Sequence, residues 1–556
     1  MVLCWQVGLV ARIPAMTEKT PMLFDYVVVG AGSAGCAIAA RLAEAGQTVA
    51  LLEAGRKDLN PLIHIPAGVA KLVYAKGDNW LYTSEPEESS GNRRLHTPRG
   101  KVLGGSSSIN GMLYVRGNPA DFDGWAQAGC RGWSFDEVLP LFRRSETYLQ
   151  GGDPAYRGTS GPLKVEDYRT ILPLTHMFVK AAQQAGFAYT PDLNGARQEG
   201  VGYSQMTRKG RLRGSTYRTY VTGLPTEARQ RIEVIPNALV TELLFDGRRC
   251  IGVTCRRAGT ERAIKARHEV ILSAGAINSP QLLHLSGIGD PAHLEQIGVP
   301  VRHALPGVGR NLSDHYVVRL VARLRNVVTL NQLSRFPRLA AELLKFVTSG
   351  TGALTMGVTS SSVFCKSRPD VASPDLQLLF TPASYVFGKV LILDRPPGMT
   401  IAICPTRPRS RGTVLARSRN PEDAPEIRNN FLSDLDDLRV MRAGFDHARR
   451  IFAARAFADH YVSELRPDTG VTDDAAFAEF VRTEGSTLFH PVGTCRMGID
   501  SAAVVGPDLR VHGLDGLRVA DASIMPWLTT GNTNAPTIMI GEKCADLVLE
   551  ARKPGH

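Results

Sequence analysis

The chain has no cysteine pair at C-x-x-C spacing, no internal repeat, no low-complexity tail and no apolar run of the length of about 18 residues that a membrane span needs. Each absence removes a class. Nine dispersed cysteines, an odd number, form neither a disulfide framework nor a zinc site, and suit a reducing, cytoplasmic compartment. Without a spanning segment, any membrane attachment is peripheral. The N-terminal stretch MVLCWQVGLVARIPAMTEKTPMLF lacks a basic n-region and an A-x-A cleavage site, so it is not read as a secretory signal. Residues 1–23 are expected to be a poorly ordered extension, with Met16 and Met22 as alternative starts. Aromatic residues are only 7% of the chain, and no aromatic-basic ladder accompanies its formal charge of +12. Lys and Arg are scattered, with short clusters such as Arg407 to Arg411, so a solvated basic surface is expected and no nucleic-acid partner.

What is present is ordinary for a globular enzyme: 43% hydrophobic and 21% charged residues over 556 positions. That length exceeds what one core supports, so at least two domains are expected. The most informative stretch is FDYVVVGAGSAGCAIAARLAEAGQTVALLE, Phe24 to Glu53. Tyr26 to Val29 reads as a strand, Gly30-Ala31-Gly32-Ser33-Ala34-Gly35 as G-x-G-x-x-G, the alanine-rich run to Gly46 as a helix, and Thr48 to Leu52 as a second strand. Gly30 allows the sharp turn, Gly32 lets the backbone approach a pyrophosphate, and Gly35 lets the helix pack on the sheet. Phosphate charge then meets unpaired N–H groups at the helix N-terminus. Glu53 ends the second strand about twenty residues on, placed to hydrogen-bond an adenosine ribose, which favours FAD or NAD over NADP.

A loop-rich segment from Pro61 to Arg99 leads into Gly100-Lys-Val-Leu-Gly-Gly-Ser-Ser-Ser-Ile-Asn-Gly-Met-Leu-Tyr114, where small residues at Gly104 to Ser108 let backbone amides close around a ligand. Ile232 to Ile235, Leu239 to Phe245, Ile251 to Arg256 and Val270 to Leu272 read as strands, with a hairpin turn at Asp246-Gly247 and small residues delivered to a ligand edge at Ser273 to Gly275. Leu376 to Phe380, Met399 to Cys404 and Thr413 to Leu415 suggest an antiparallel sheet, and Asp434 to Arg455 and Asp473 to Thr483 have helical spacing. Glycine turns return at His490 to Gly498, Leu517 to Pro526 and Thr530 to Lys543.

These blocks resemble the glucose-methanol-choline (GMC) flavoprotein oxidoreductases, in the choline dehydrogenase and alcohol dehydrogenase group. The segment Gly100 to Asp121 is similar to the family's first signature, and Gly275-Ala-Ile-Asn-Ser-Pro-Gln-Leu-Leu-His-Leu-Ser-Gly-Ile-Gly289 to its second. The glycine turn, Leu305 to His315 and the C-terminal blocks complete the set in order. The resemblance implies an α/β Rossmann-like FAD-binding domain (24–165, 230–315 and 490–552) interleaved with an α+β substrate domain (166–229 and 316–489) built on an antiparallel sheet flanked by helices. It implies non-covalent FAD, because the position before the signature Asn, a histidine in members with covalent flavin, is Ile109.

The cofactor-binding set expected from the glycine turn and the resemblance comprises Gly30, Gly32, Ser33, Ala34, Gly35, Glu53, Ala54, Trp80, Val102, Gly105, Ser106, Asn110, Gly111, Met112, Leu113, Val240, Phe489, Asp521, Ala522, Asn532, Thr533 and Thr537. By the resemblance Val240 meets the adenine, Asp521 and Ala522 the diphosphate or ribitol, Asn110 to Leu113 the isoalloxazine edge, and Thr537 its pyrimidine side. The C-terminal helix N-terminus would favour the charge of a reduced ring.

Oxidising an alcohol requires a base for the hydroxyl proton and an acceptor for hydride, which a flavin supplies. His490, between Phe489 and a Pro-Val-Gly turn, matches the family's catalytic histidine. Asn534, in Gly-Asn-Thr-Asn-Ala-Pro, matches a position that is His or Asn, and its amide can hold the alcohol oxygen without taking its proton. Asn532, in the same turn, is the alternative for that role. Asp314-His315 is read as a structural turn without chemistry. Choline-specific members carry a Glu at a position aligned here with Ser360, so choline is disfavoured. The expected activity is FAD-dependent oxidation of a primary alcohol, with oxygen, a quinone or a dye as acceptor. The alternatives are oxidase action on aryl alcohols or sugars, or non-redox chemistry of the hydroxynitrile lyase or photodecarboxylase type.

Overall fold

Alternating apolar segments and glycine turns build two sheets that share the chain between them. The structure, a computed structural model, describes residues 22–387, 391–467 and 470–552. Expectations for residues 1–21 lie outside the described residues; Met22 and Leu23 open the first strand instead of ending an extension. The chain begins with β1 (Met22–Val29), α1 (Ser33–Glu44) and β2 (Val49–Glu53). It then leaves this unit, contributing α2 (Pro173–Gln184) and β3 (Gly200–Tyr203) elsewhere. It returns with β4 (Ile232–Pro236), β5 (Leu239–Asp246), β6 (Arg249–Arg257), β7 (Thr260–Leu272) and α3 (Gly275–Leu285). A second excursion supplies β8 (Tyr316–Leu324), β9 (Ser361–Cys365), β10 (Leu376–Thr381), β11 (Gly398–Pro405), α4 (Leu435–Phe452) and β12 (Tyr461–Arg466). Strand β13 (Leu517–Val519) and α5 (Asn534–Glu550) bring the chain back.

The first sheet has the order β4-β2-β1-β7-β6-β5, with β13 also pairing β7. Its β4, β2, β1, β7 and β13 neighbours are parallel, while β5 and β6 form the hairpin expected at Asp246-Gly247. Strand β7 serves both arrangements: Thr260 to Lys265 pairs antiparallel with β6, and Val270 to Leu272 runs parallel to β13. Parallel strands covered on both faces read as unbroken apolar runs, as VVV in β1 and VALL in β2 do. Helix α1 is alanine-rich because α5 crosses it closely: a Cβ on Gly541 would stand 2.7 Å from the Ala34 carbonyl oxygen. Arg41 of α1 then grips the buried Glu542 of α5 through two hydrogen bonds of 2.8 and 2.9 Å.

The second sheet, β12-β8-β11-β10-β9-β3, is antiparallel throughout. Its strands alternate faces. Val318, Leu320, Leu378, Phe380, Ile401 and Ile403 form a core with Phe178 of α2 and Phe445 of α4. The intervening residues turn toward the first sheet, and the site lies in the space between. No helix among the described residues is long and apolar enough to cross a membrane. The eight described cysteines are free and buried. Part of the charge is used internally: in the cluster after Thr406, Arg407 donates to the buried Asp121 at 2.8 Å and Arg409 pairs with Asp436 at 2.7 Å.

Candidate active site

A cavity of about 320 Å³ lies between the C-terminal ends of β1, β2 and β7 and the inner face of the antiparallel sheet. Strand ends are where an open parallel sheet presents a crevice. The cavity gathers the expected site residues with two exceptions, Gly35 and Val102. A Cβ on Gly35 would sit 1.9 Å from the Gly30 carbonyl oxygen, so Gly35 acts by letting α1 pack against the turn and does not face a ligand. Val102 is fully buried with Ile63, Leu72 and Ile109 in an apolar cluster beside the cavity. Ser360, assigned above to a substrate-facing position, is buried too. Its hydroxyl is 2.9 Å from that of Thr175, and its neighbours Val358 and Thr359 line the cavity instead.

At one end the backbone forms an anion cradle. Gly32 is the N-cap of α1 and no side chain caps the helix, so its first amides are open to a ligand. Gly30 has φ +103°, and a Cβ there would lie 2.4 Å from the Ser273 carbonyl oxygen, which excludes other residues. Glu53 is buried and accepts from the amides of Ala31 at 3.1 Å and Gly55 at 2.8 Å. Burial pushes its carboxyl up to about 7 against those amides. Asp521, also pushed up by burial, accepts from Gly275 N at 2.8 Å, Ser279 Oγ at 2.6 Å and Ser523 N at 2.8 Å, tying β13 to α3 at the cavity wall. Trp80 forms a further wall, stacked on Tyr82 at 5.5 Å with the Lys101 ammonium 4.0 Å above its ring. The N-terminus of α5 also opens here without a side-chain cap. Two helix N-termini, a cradle a Cβ would fill and an acid at the end of β2 fit a dinucleotide with its diphosphate.

The two asparagines of the C-terminal turn part company. Asn534 begins α5, and its Oδ1 accepts from Ser33 Oγ at 2.7 Å, linking the two helix N-termini. Asn532 is the residue beside the histidine: its Nδ2 is 3.1 Å from His490 Nε2, and its Oδ1 is buried without a protein partner. Of the two, Asn532 is the one whose amide stands beside His490. We expect Asn532→Ala to lower kcat with bound flavin retained, and Asn534→Ala to weaken flavin retention with a smaller change in kcat; flavin titration and turnover measured on both variants check this.

His490 is fixed from behind. Its backbone N–H donates to Asp314 Oδ1 at 2.8 Å, and the preceding Phe489 is held at φ 70° by its amide to Thr487 Oγ1 at 2.7 Å. A second residue with positive φ, Met112 at 63°, lines the same cavity, so backbone strain gathers at the site. Asp314, pushed up to about 6 by burial, also accepts from His315 N at 2.8 Å and Thr487 Oγ1 at 2.5 Å. The Asp314-His315 turn is structural, but His315 also touches the site: its Nδ1 is 2.9 Å from His490 Nδ1. Its other nitrogen, Nε2, faces the Thr406 carbonyl at 3.1 Å.

These contacts set the tautomers. A carbonyl only accepts, so His315 carries its proton on Nε2. Burial lowers His315 to about 4, so the ring is neutral and its Nδ1 is bare. That bare nitrogen accepts from His490 Nδ1–H. Burial, then His315 and Arg99, hold His490 well below the ordinary imidazole value, so its Nε2 carries no proton and accepts from Asn532 Nδ2 at 3.1 Å at the edge of the cavity.

Several contributors were not singled out from sequence. Arg99, half-buried and lowered by desolvation to about 10, donates to the Phe489 carbonyl beneath the His490 turn. Arg213 donates to Asn110 Oδ1 at 2.7 Å and so braces the signature loop. Arg319 lines the cavity from β8. Each is one arginine among many, and only tertiary placement distinguishes it.

Relatives of the chain are known along nearly its whole length. An alcohol dehydrogenase [acceptor] from Pseudomonas putida is 42% identical over 531 residues, 95% of this chain and 96% of its own. An oxygen-dependent choline dehydrogenase from Brucella suis is 42% identical over 532 residues, 94% of this chain and 95% of its own. Among solved structures, formate oxidase from Aspergillus oryzae superposes with TM-score 0.88 at 28% identity, covering 97% of this chain and 100% of that one. Pyridoxine 4-oxidase from Mesorbium loti does so with TM-score 0.84 at 29% identity, covering 94% and 98%. Residues 24–317 and 408–541 match the N- and C-terminal profiles of GMC oxidoreductases, and with these relatives along nearly its whole length the chain belongs to the GMC oxidoreductase family.

Proposed function

We propose that the protein is an FAD-dependent oxidoreductase that converts a primary alcohol to its aldehyde. The observation that carries the reading is the bare Nε2 of His490 beside the Asn532 amide, facing the cavity that also contains the glycine cradle. FAD, held by Gly30 to Ala34, Glu53, Val240, Asp521 and the α5 N-terminus, supplies the hydride acceptor. The protein supplies the rest. His490 Nε2 accepts the hydroxyl proton, and Asn532 Nδ2 donates to the oxygen as negative charge develops on it. His315 and the Thr406 carbonyl keep the accepting nitrogen pointed at the substrate, which makes His315 a positioning residue. The names of the relatives, an alcohol dehydrogenase and choline dehydrogenases, support this chemistry.

We assign residues 24–165, 230–315 and 490–552 to the FAD domain and 166–229 and 316–489 to the substrate domain. The sheets support this partition, since the strands of the first fall in the former segments and those of the second in the latter. Buried free thiols suit a reducing compartment, and we place the enzyme in the cytoplasm.

Two predictions follow from the reading. FAD dissociates on acid precipitation and leaves the pellet colourless, because the position before Asn110 is the carbon-only side chain of Ile109, which lines the cavity. His315→Phe lowers kcat by about 10²-fold with flavin bound, since an unsupported imidazole loses its aim. The function itself is tested by offering a panel of primary alcohols to the FAD-loaded protein with an artificial acceptor. Aldehyde and reduced acceptor appearing in equal amounts support it, and no aldehyde from any alcohol refutes it.

A further inference from the structure

A helix on the surface of a globular protein turns its apolar stripe to the core and its charges to water. The helix Arg338–Thr348, RLAAELLKFVT, between β8 and β9, does the reverse. Its buried residues are Glu342 and Phe346. Phe336 just before it, and Leu339, Leu343, Leu344 and Val347 along it, recur at the three- and four-residue spacing of one helix face and are between 42% and 86% exposed. The inward side is fixed by specific contacts. Glu342 pairs with Lys345 at 2.7 Å and accepts from the Ala353 amide at 2.6 Å, and Arg211 donates to the Phe346 carbonyl at 3.2 Å.

The hairpin of Tyr385–Phe387 with Leu391–Leu393 extends this surface. Val386 and Ile392 stand opposite each other across it, so they share a face, and both are exposed. Arg335 ties helix to hairpin by donating to the Asp394 carbonyl at 3.3 Å. The surface borders the cavity on two sides. Tyr385, next to Val386, lines the cavity, and Ala353–Thr355, just after the helix, packs against Pro66–Gly68 beside the lining residues Val69 and Ala70.

Charge decides what such a surface can meet. From Val327 to Met356 the cations are Arg335, Arg338 and Lys345, and the one acid is the buried Glu342. Arg335 and Arg338 are exposed, and neither pairs with a carboxylate among the described residues. At the foot of the hairpin Asp394 faces Arg466 at 3.6 Å, and Arg395 is exposed. A second copy placed on this face by a twofold axis would bring the same arginines toward one another. An anionic lipid surface meets them with the opposite sign.

We propose that this face docks the enzyme peripherally on an anionic phospholipid bilayer, with the apolar side chains entering the interface, the arginines meeting the headgroups and the cavity held beside the lipid. The proposal is independent of the alcohol-oxidising reading, because docking requires no turnover.

The test is co-sedimentation of the FAD-loaded full chain with vesicles of phosphatidylcholine alone or mixed with phosphatidylglycerol. Binding is expected on the mixed vesicles, at least about tenfold weaker on phosphatidylcholine alone, and weakened by added salt, which screens exposed charge. The double variant Leu343→Glu, Leu344→Glu should bind the mixed vesicles at least about tenfold more weakly, with flavin content and thermal unfolding as in the wild type because both side chains are exposed. Arg338→Glu keeps the apolar stripe and should lose most of the preference for phosphatidylglycerol. A wild type that sediments with neither vesicle, a double variant that binds like the wild type, or an Arg338→Glu protein with the full preference overturns the proposal. A wild type that is a dimer without vesicles, made monomeric by the double substitution, overturns it as well, since a second copy then covers the face.

Discussion

Replacing His490 by alanine lowers kcat by about 10²–10⁴-fold, the contribution of a positioned general base, while the protein keeps its yellow cofactor. The two halves of this expectation have separate physical grounds. Proton acceptance is lost because the Asn532 amide, 3.1 Å from the ring nitrogen, has no basic lone pair at neutral pH to take over. Cofactor is retained because the diphosphate cradle is built by other elements, α1, Glu53 and the amides around Asp521. His490→Gln, which refills much of the volume without restoring a base, should be impaired to a similar degree. Steady-state turnover read beside the flavin-to-protein absorbance ratio checks both halves. A variant with normal turnover would remove the histidine from the mechanism.

The second large effect separates folding from ligand binding within one six-residue turn. A Cβ on Gly32 meets no protein atom closer than the Ser273 carbonyl oxygen at 4.0 Å, yet it projects where the open α1 amides face the cavity. A Cβ on Gly35 meets the Gly30 carbonyl at 1.9 Å. Gly32→Val should therefore fold and bind FAD at least about 10²-fold more weakly, since blocking two amide-to-phosphate hydrogen bonds costs about 3 kcal/mol or more. Gly35→Ala should fail to fold stably with or without FAD, because the atom it meets belongs to the Gly30 backbone, which cannot yield. Thermal unfolding of the apoproteins, set against FAD titration, distinguishes the two. A Gly32→Val protein that binds FAD normally would contradict the cradle.

The first βαβ unit was legible because its signals are local: a β-branched strand, a glycine turn, an alanine-rich helix and a terminal acid follow one another within Phe24 to Glu53. The place of His490 on the cavity was legible through the turn around it and the family resemblance. Which asparagine stands beside it was not. Asn532 and Asn534 stand two residues apart, and which of them faces the histidine depends on where α5 begins, a boundary set by its packing on α1 and by the Ser33 contact. His315 escaped because its role is a long-range contact, 175 residues from His490, with nothing local to announce it. Strand β8 was missed as a site element because YVVRLVARL is buried on both faces, which blurs the period-two pattern and makes Arg319 look like an interruption. Val102 went the other way. It lies inside a signature whose backbone borders the cavity, but its side chain packs with Ile63 and Leu72.

The central claim is that His490 and Asn532 hold an alcohol while its proton leaves to nitrogen and its hydride to the bound flavin. The most direct test is a single anaerobic turnover: an oxidisable primary alcohol and its α,α-dideuterated form are each mixed with the FAD-loaded protein while flavin absorbance is followed. The account predicts that both bleach the flavin, the deuterated alcohol several times more slowly, and that His490→Ala slows bleaching by about 10²-fold or more. A flavin that stays oxidised with every alcohol tried, or one that bleaches at the wild-type rate in His490→Ala, would contradict it.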